Sequence, residues 1–96
     1  SEWDYPPFKP VVVGGKILGR GASDDKSGVM ISIWAIEAML KKDGKLPVNV
    51  KFLFEGEEEI GSTHFHDFIA ANKELLKADY ALNADGGQAS DTDPAI

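Results

Sequence analysis

Residues 48–62 read VNVKFLFEGEEEIGS. The first eight, Val48 to Glu55, are mostly apolar on both alternating faces, the pattern of a parallel strand covered on both sides. The chemistry then changes at once. Glu55 to Gly61 (EGEEEIG) is an acidic, glycine-bounded segment that predicts a loop at the C-terminal end of that strand. Downstream, Ser62 or Thr63 is expected to cap a helix running to about Leu76, with Phe65, Phe68, Ile69 and Leu75 as its inner face. Ala78 to Ala84 (ADYALNA) predicts a third short strand, ending at Asp85-Gly86-Gly87.

Upstream, Gly44 to Pro47 make a turn. A helix is predicted from roughly Lys26 to Lys42, where Ser23, Asp24 or Asp25 can cap the start and Lys41-Lys42 suit the C-terminal end. Its middle is apolar almost all round, with only Ser32 and Glu37 interrupting Val29 to Leu40. Such a helix is usually buried on most sides, which is awkward in 96 residues and natural in a larger protein. Before it, Val11–Val13 and Lys16–Leu18 flank Gly14-Gly15, a two-residue hairpin signal. Residues 1–10 (SEWDYPPFKP) read as an irregular packed loop, with Trp3, Tyr5 and Phe8 as packing groups. Strands alternating with helices predict an α/β fold, a mostly parallel sheet with flanking helices.

The bulk chemistry narrows the function classes. Net charge is −6, from 16 acidic and 10 basic residues. A basic footprint is absent, so nucleic acid is not an expected partner. No apolar run reaches the ~20 residues that span a bilayer. The opening Ser-Glu-Trp-Asp-Tyr has no signal-peptide character; the cytoplasm is the expected compartment, with the periplasm or secretion as the alternatives. The absent initiator methionine fits a processed protein or a fragment. There are no cysteines. Any metal must therefore sit on oxygen or imidazole ligands.

Three acidic groups stand out: Asp24-Asp25, Glu57-Glu58-Glu59 and Asp85. The first enters a helix; the other two follow predicted strands. In open α/β sheets, ligands bind beyond those strand ends. Each group also has a plain reading: a solvated loop for the triplet, helix capping for Asp24-Asp25, a turn for Asp85 before two glycines. Their joint placement favours convergent carboxylates, which repel unless cations neutralise them. Two metals suit several carboxylates better than one.

Other motifs fail. Asp25 precedes Lys26-Ser27 where a phosphate loop needs glycine, and Asp24 stands where a dinucleotide fingerprint needs one. Nothing else cradles phosphate, which disfavours magnesium-dependent phosphoryl transfer. His64 and His66 are two apart, so a regular helix points them to different sides; they read as ordinary surface histidines.

Gly19-Arg20-Gly21-Ala22-Ser23-Asp24-Asp25-Lys26, then Glu55-Gly56-Glu57-Glu58-Glu59-Ile60-Gly61-Ser62, then Ala84-Asp85, resemble the zinc metallopeptidase family of carnosine dipeptidase, glutamate carboxypeptidase, acetylornithine deacetylase, succinyl-diaminopimelate desuccinylase and aminoacylase. The segment Trp3 to Phe8 also resembles that family's stretch before the Gly-Arg-Gly motif. The set is most similar to the dipeptidase and carboxypeptidase branch. The resemblance implies a dinuclear zinc site, although cobalt or manganese would suit the same ligands. It implies that Asp24 bridges the two ions, that Glu59 ligates one and Asp85 the other, and that Glu58 is the general base. Only a carboxylate, with two oxygens, bridges cations about 3.5–4 Å apart. No organic cofactor is implied. The substrate would be a small peptide or N-acyl amino acid cleaved at its amide bond.

Two departures from the family pattern matter. Ser27 stands where the family usually has glycine after the lysine, with Gly28 next. The family's two histidine ligands have no match: one would lie before Ser1, the other far beyond Ile96. Residues 1–96 are thus expected to be a partial catalytic domain. The lid or dimerisation domain would be absent, and the parent would pair as a homodimer. Alone, the chain is expected to bind zinc weakly and turn over little. The alternative is a non-enzymatic α/β binding or scaffold module derived from that family.

Overall fold

In the computed structural model, which describes residues 2–90, 92 and 93, the hairpin forms where the glycine pair predicts it. Strand β1 (Val11–Val13) pairs antiparallel with β2 (Lys16–Leu18), with Val11 opposite Leu18 and Val13 opposite Lys16. Gly14 and Gly15 take φ of 57° and 77°. Both central residues of this tight turn thus lie in the left-handed region, which glycine enters without a Cβ clash.

Helix α1 spans Lys26–Asp43. It ends where the sequence stops favouring it. Gly44 takes a left-handed conformation, its N–H reaching the Leu40 carbonyl at 2.8 Å. Lys41 and Lys42 occupy the last turn, where their charge complements the helix dipole. Lys41 also pairs with Glu37 one turn back at 2.7 Å. Both side chains are more than half exposed, so the pair adds only about 0.3–0.5 kcal/mol. The apolar surface of α1 is only partly covered: Val29, Ile33 and Ile36 are half-buried, whereas Ile31 is 61% and Trp34 57% exposed. No described residue is buried.

The chain divides into two compact units, Ser1–Leu46 with Asn83–Ile96, and Pro47–Leu82. The second holds a 3₁₀ turn (Glu58–Ile60), α2 (Phe65–Ala71) and α3 (Lys73–Leu76). The single helix expected from residue 63 to 76 is therefore two. Asn72 separates them, with φ −123° and ψ 25°. Its side-chain amide donates to the Phe68 carbonyl at 2.8 Å, taking over a backbone acceptor as asparagine tends to do. Neither Ser62 nor Thr63 caps α2; His64 holds that position, without a side-chain cap bond. Ser62 sits instead at φ 50°, outside the helix.

The strands expected at residues 48–55 and 78–84 are not formed. Among the described residues, the only sheet is the hairpin. A strand is defined by its ladder, and these segments have no backbone partner here. The extended character of the first survives in its side chains. Phe52 and Phe54, two apart, stack with ring centroids 5.5 Å apart, as residues on one face of an extended chain do. Lys51, just before them in sequence, donates to the carbonyls of Leu75 (2.7 Å) and Lys77 (2.8 Å) and ties this segment to the end of α3. No described helix is long and apolar enough to cross a membrane. The C-terminal Pro94 to Ile96 lie outside the described residues, as do Ser1 and Asp91.

Candidate functional site

The loop carrying Asp24 is fixed mainly by backbone bonds. Arg20 N–H donates to Pro7 O (2.7 Å), Ala22 N–H to Gly19 O (3.1 Å) and Lys26 N–H to Gly21 O (3.0 Å). The Lys26 ammonium closes the same loop on the Arg20 carbonyl at 3.0 Å. The Ser27 hydroxyl donates to the Ser23 carbonyl. The Arg20 guanidinium lies over the Trp3 ring, 5.5 Å from its centre, a cation–π contact that tethers the N-terminal segment. Trp3 packs only in part, against Arg20, and stays 41% exposed, while Tyr5 is 40% exposed. Phe8 does not pack: it is 85% exposed. Asp25 holds the N-cap position of α1 but makes no side-chain cap bond, so helix capping does not account for the acidic pair. The Asp24–Asp25 peptide is cis.

Asp85 belongs to the same unit as Asp24, and Gly28 explains how its segment reaches the start of α1. A Cβ added at Gly28 would collide with the Ala84 carbonyl oxygen and with an Asp25 carboxylate oxygen. The missing side chain thus lets residue 84 lie against the first turn of α1, beside the Asp24-Asp25 pair. Ser27, one residue earlier, tolerates its side chain because its hydroxyl is directed to Ser23. The Asp85 N–H is held by the Asn83 side-chain oxygen at 3.1 Å.

Glu58 and Glu59 lie in the second unit, on the 3₁₀ turn. The acidic segment divides by role. Glu55 accepts from the Ser62 hydroxyl at 2.5 Å. Glu57 is bound by His64 and Thr63: His64 Nδ1 lies 2.9 Å from Oε1, the His64 N–H 3.2 Å from Oε2 and the Thr63 hydroxyl 3.3 Å from Oε2. The His64 side-chain bond, then its backbone N–H, holds the Glu57 carboxyl below its ordinary range. Glu55 and Glu57 thus act as scaffold. Glu58 and Glu59 occupy the turn between the points that these bonds secure. The role of His64 escapes helical spacing, because its partner lies seven residues away across a loop. Its ring is 82% exposed, as a surface reading requires, and still bonded.

Each unit has one notable hollow. In the first, about 440 Å³ is bounded by apolar groups that include Phe8, Ile17, Met30 and Trp34. In the second, about 210 Å³ lies between Leu53, Phe54, Phe65 and Phe68, with Glu57 and His64 at its edge. Among the described residues, no three His, Asp or Glu side chains are grouped closely enough to hold a metal ion.

The comparisons with known proteins agree with these motifs. The family model described as Peptidase family M20/M25/M40 matches residues 1–95. The chain is 36% identical over 96 residues to Beta-Ala-His dipeptidase of Homo sapiens, covering 98% of this chain and 19% of that protein. It is 35% identical over 86 residues to succinyl-diaminopimelate desuccinylase of Psychromonas ingrahamii, covering 85% of this chain and 22% of that one. The chain thus spans about a fifth of the length of the curated relatives it matches. No solved structure gives a significant match. With a family match over nearly its whole length, the chain belongs to this peptidase family.

Proposed function

We propose that the protein carrying this chain hydrolyses amide bonds of dipeptides or N-acyl amino acids at a dinuclear zinc site. The observation that carries the reading is the family match over residues 1–95, joined to relatives named for a dipeptidase and a desuccinylase. Both names describe removal of an acyl group from an amine. The candidate ligands here are all carboxylates, which zinc accepts and manganese accepts equally; the choice of zinc rests on the family match. Asp24 would take both ions, while Glu59 and Asp85 would take one each. When bound, the zinc pair would acidify water and polarise the amide carbonyl.

The chain's own residues divide the remaining work. Glu58 accepts the proton of the attacking water and returns it to the leaving amine, a role worth about 10²–10⁴-fold. Gly28 and the loop bonds from Arg20 to Lys26 hold the segments of Asp24 and Asp85. Glu55 and Glu57 hold the turn of Glu58 and Glu59. Adjacent glutamates can serve different purposes there because a tight turn, unlike a strand, need not send them to opposite faces.

The test is a substrate panel on the full-length protein: dipeptides, N-acetyl and N-succinyl amino acids, with zinc and after chelation. Turnover of at least one amide class, lost on chelation and restored by zinc, is the expected result. A protein that holds no zinc and turns over no amide would favour the scaffold reading instead.

A further inference from the structure

We propose that Glu57 and His64 are positioning residues that set the aim of Glu58 and Glu59, an inference that rests on the hydrolase reading above. Glu57 ties the loop at two levels. Its side chain takes the His64 N–H (3.2 Å), His64 Nδ1 (2.9 Å) and the Thr63 hydroxyl (3.3 Å). Its backbone carbonyl takes the N–H groups of Ile60 (3.0 Å) and Ser62 (2.8 Å). One residue therefore fixes both the near and the far end of the segment from 58 to 63. Glu58 and Glu59 are the first two residues inside that closure, and Gly61 N–H completes the turn on Glu58 O at 2.9 Å. Because the Glu57 carboxylate only accepts, His64 Nδ1 must carry the proton of that bond. A carboxylate bound by three donors is also prevented from turning toward the site as a competing ligand.

Without the closure the backbone still bears both acids, but their directions spread over many conformers. A base and a metal ligand need placement within a fraction of an ångström. The bond between Glu57 and His64 is exposed, so the consequence should be a partial loss of rate and not an inactive protein.

The experiment uses the full-length, zinc-loaded protein and four forms: wild type, Glu57→Ala, His64→Ala and His64→Asn. Glu57→Ala should lower kcat on the order of tenfold and His64→Ala roughly threefold, with KM held within about twofold and zinc content unchanged. His64→Asn, whose amide N–H can stand near the place of Nδ1, should recover most of the loss. Hydrogen exchange gives a readout independent of turnover: the Ile60 and Ser62 amides should exchange faster in Glu57→Ala. Wild-type kcat in both alanine variants would overturn the proposal. So would loss of zinc from Glu57→Ala, which would make Glu57 a ligand. If the wild type hydrolyses no amide, the hydrolase reading falls, and exchange alone decides: unchanged protection at Ile60 and Ser62 overturns the closure, faster exchange upholds it.

Discussion

The two units hold their acids by opposite means. In Ser1–Leu46 with Asn83–Ile96, a missing side chain does the positioning: Gly28 leaves space for the Ala84 carbonyl, and mainly backbone bonds shape the loop of Asp24. In Pro47–Leu82, side chains do it. Glu55 holds Ser62, Glu57 holds His64 and Thr63, and Lys51 holds two carbonyls at the end of α3. A run of four glutamates in five residues is thus not one functional cluster. Two of them, Glu55 and Glu57, are structural and are bound by serine, threonine and histidine donors. An acidic triplet in a sequence cannot be assigned as a unit, since neighbouring carboxylates can face different partners.

Substitutions can break this contrast from either side. The largest effect is expected for Asp24→Ala in the full-length protein. Loss of the residue proposed to contact both ions should reduce zinc from two per chain to at most one, and turnover by roughly 10³-fold or more. Zinc analysis beside kinetics measures both, and two retained zinc ions would remove Asp24 from its bridging role. Gly28→Val should come next. Its side chain would be driven into Ala84 O and Asp25, so a stability loss of about 1–3 kcal/mol is expected, with weaker zinc retention as the Asp85 segment is pushed away. Thermal unfolding and a chelator competition would detect each part. A stable Gly28→Val protein that binds zinc normally would show that residue 84 need not lie against α1. The smallest effect is expected for Lys51→Met, which keeps the chain length but removes both donated bonds. The loss should be about 1 kcal/mol with catalysis unaffected, because these bonds are solvent-exposed and run to the carbonyls of Leu75 and Lys77 and not to the acidic turn.

The legible parts of the fold were those decided locally. The hairpin follows from Gly14-Gly15, and the end of α1 follows from Lys41, Lys42 and Gly44. Residues 48–55 show why the strands were harder. Their apolar pattern and the stacked Phe52 and Phe54 carry the extended character, but a ladder requires a partner strand that the pattern does not identify. The same holds for the apolar surface of α1, which exceeds what these 96 residues cover; in the relatives, the matching stretch lies within a chain about five times as long. The break between α2 and α3 turned on one side-chain bond from Asn72, which propensity alone does not resolve. Among the acids, it is the family resemblance that singles out Asp24, Glu58, Glu59 and Asp85 as the proposed set. The scaffold roles of Glu55, Glu57 and His64 depend on contacts across a loop and became visible only in three dimensions.

The central proposal is that Glu58 moves the proton while Glu59, Asp24 and Asp85 hold the metal. Glu58→Gln in the full-length protein tests it most directly, with amide hydrolysis and zinc content measured on the same preparation. The account predicts a fall in kcat of about 10²–10⁴-fold with two zinc ions still bound per chain. Turnover near the wild-type rate in that variant would contradict it.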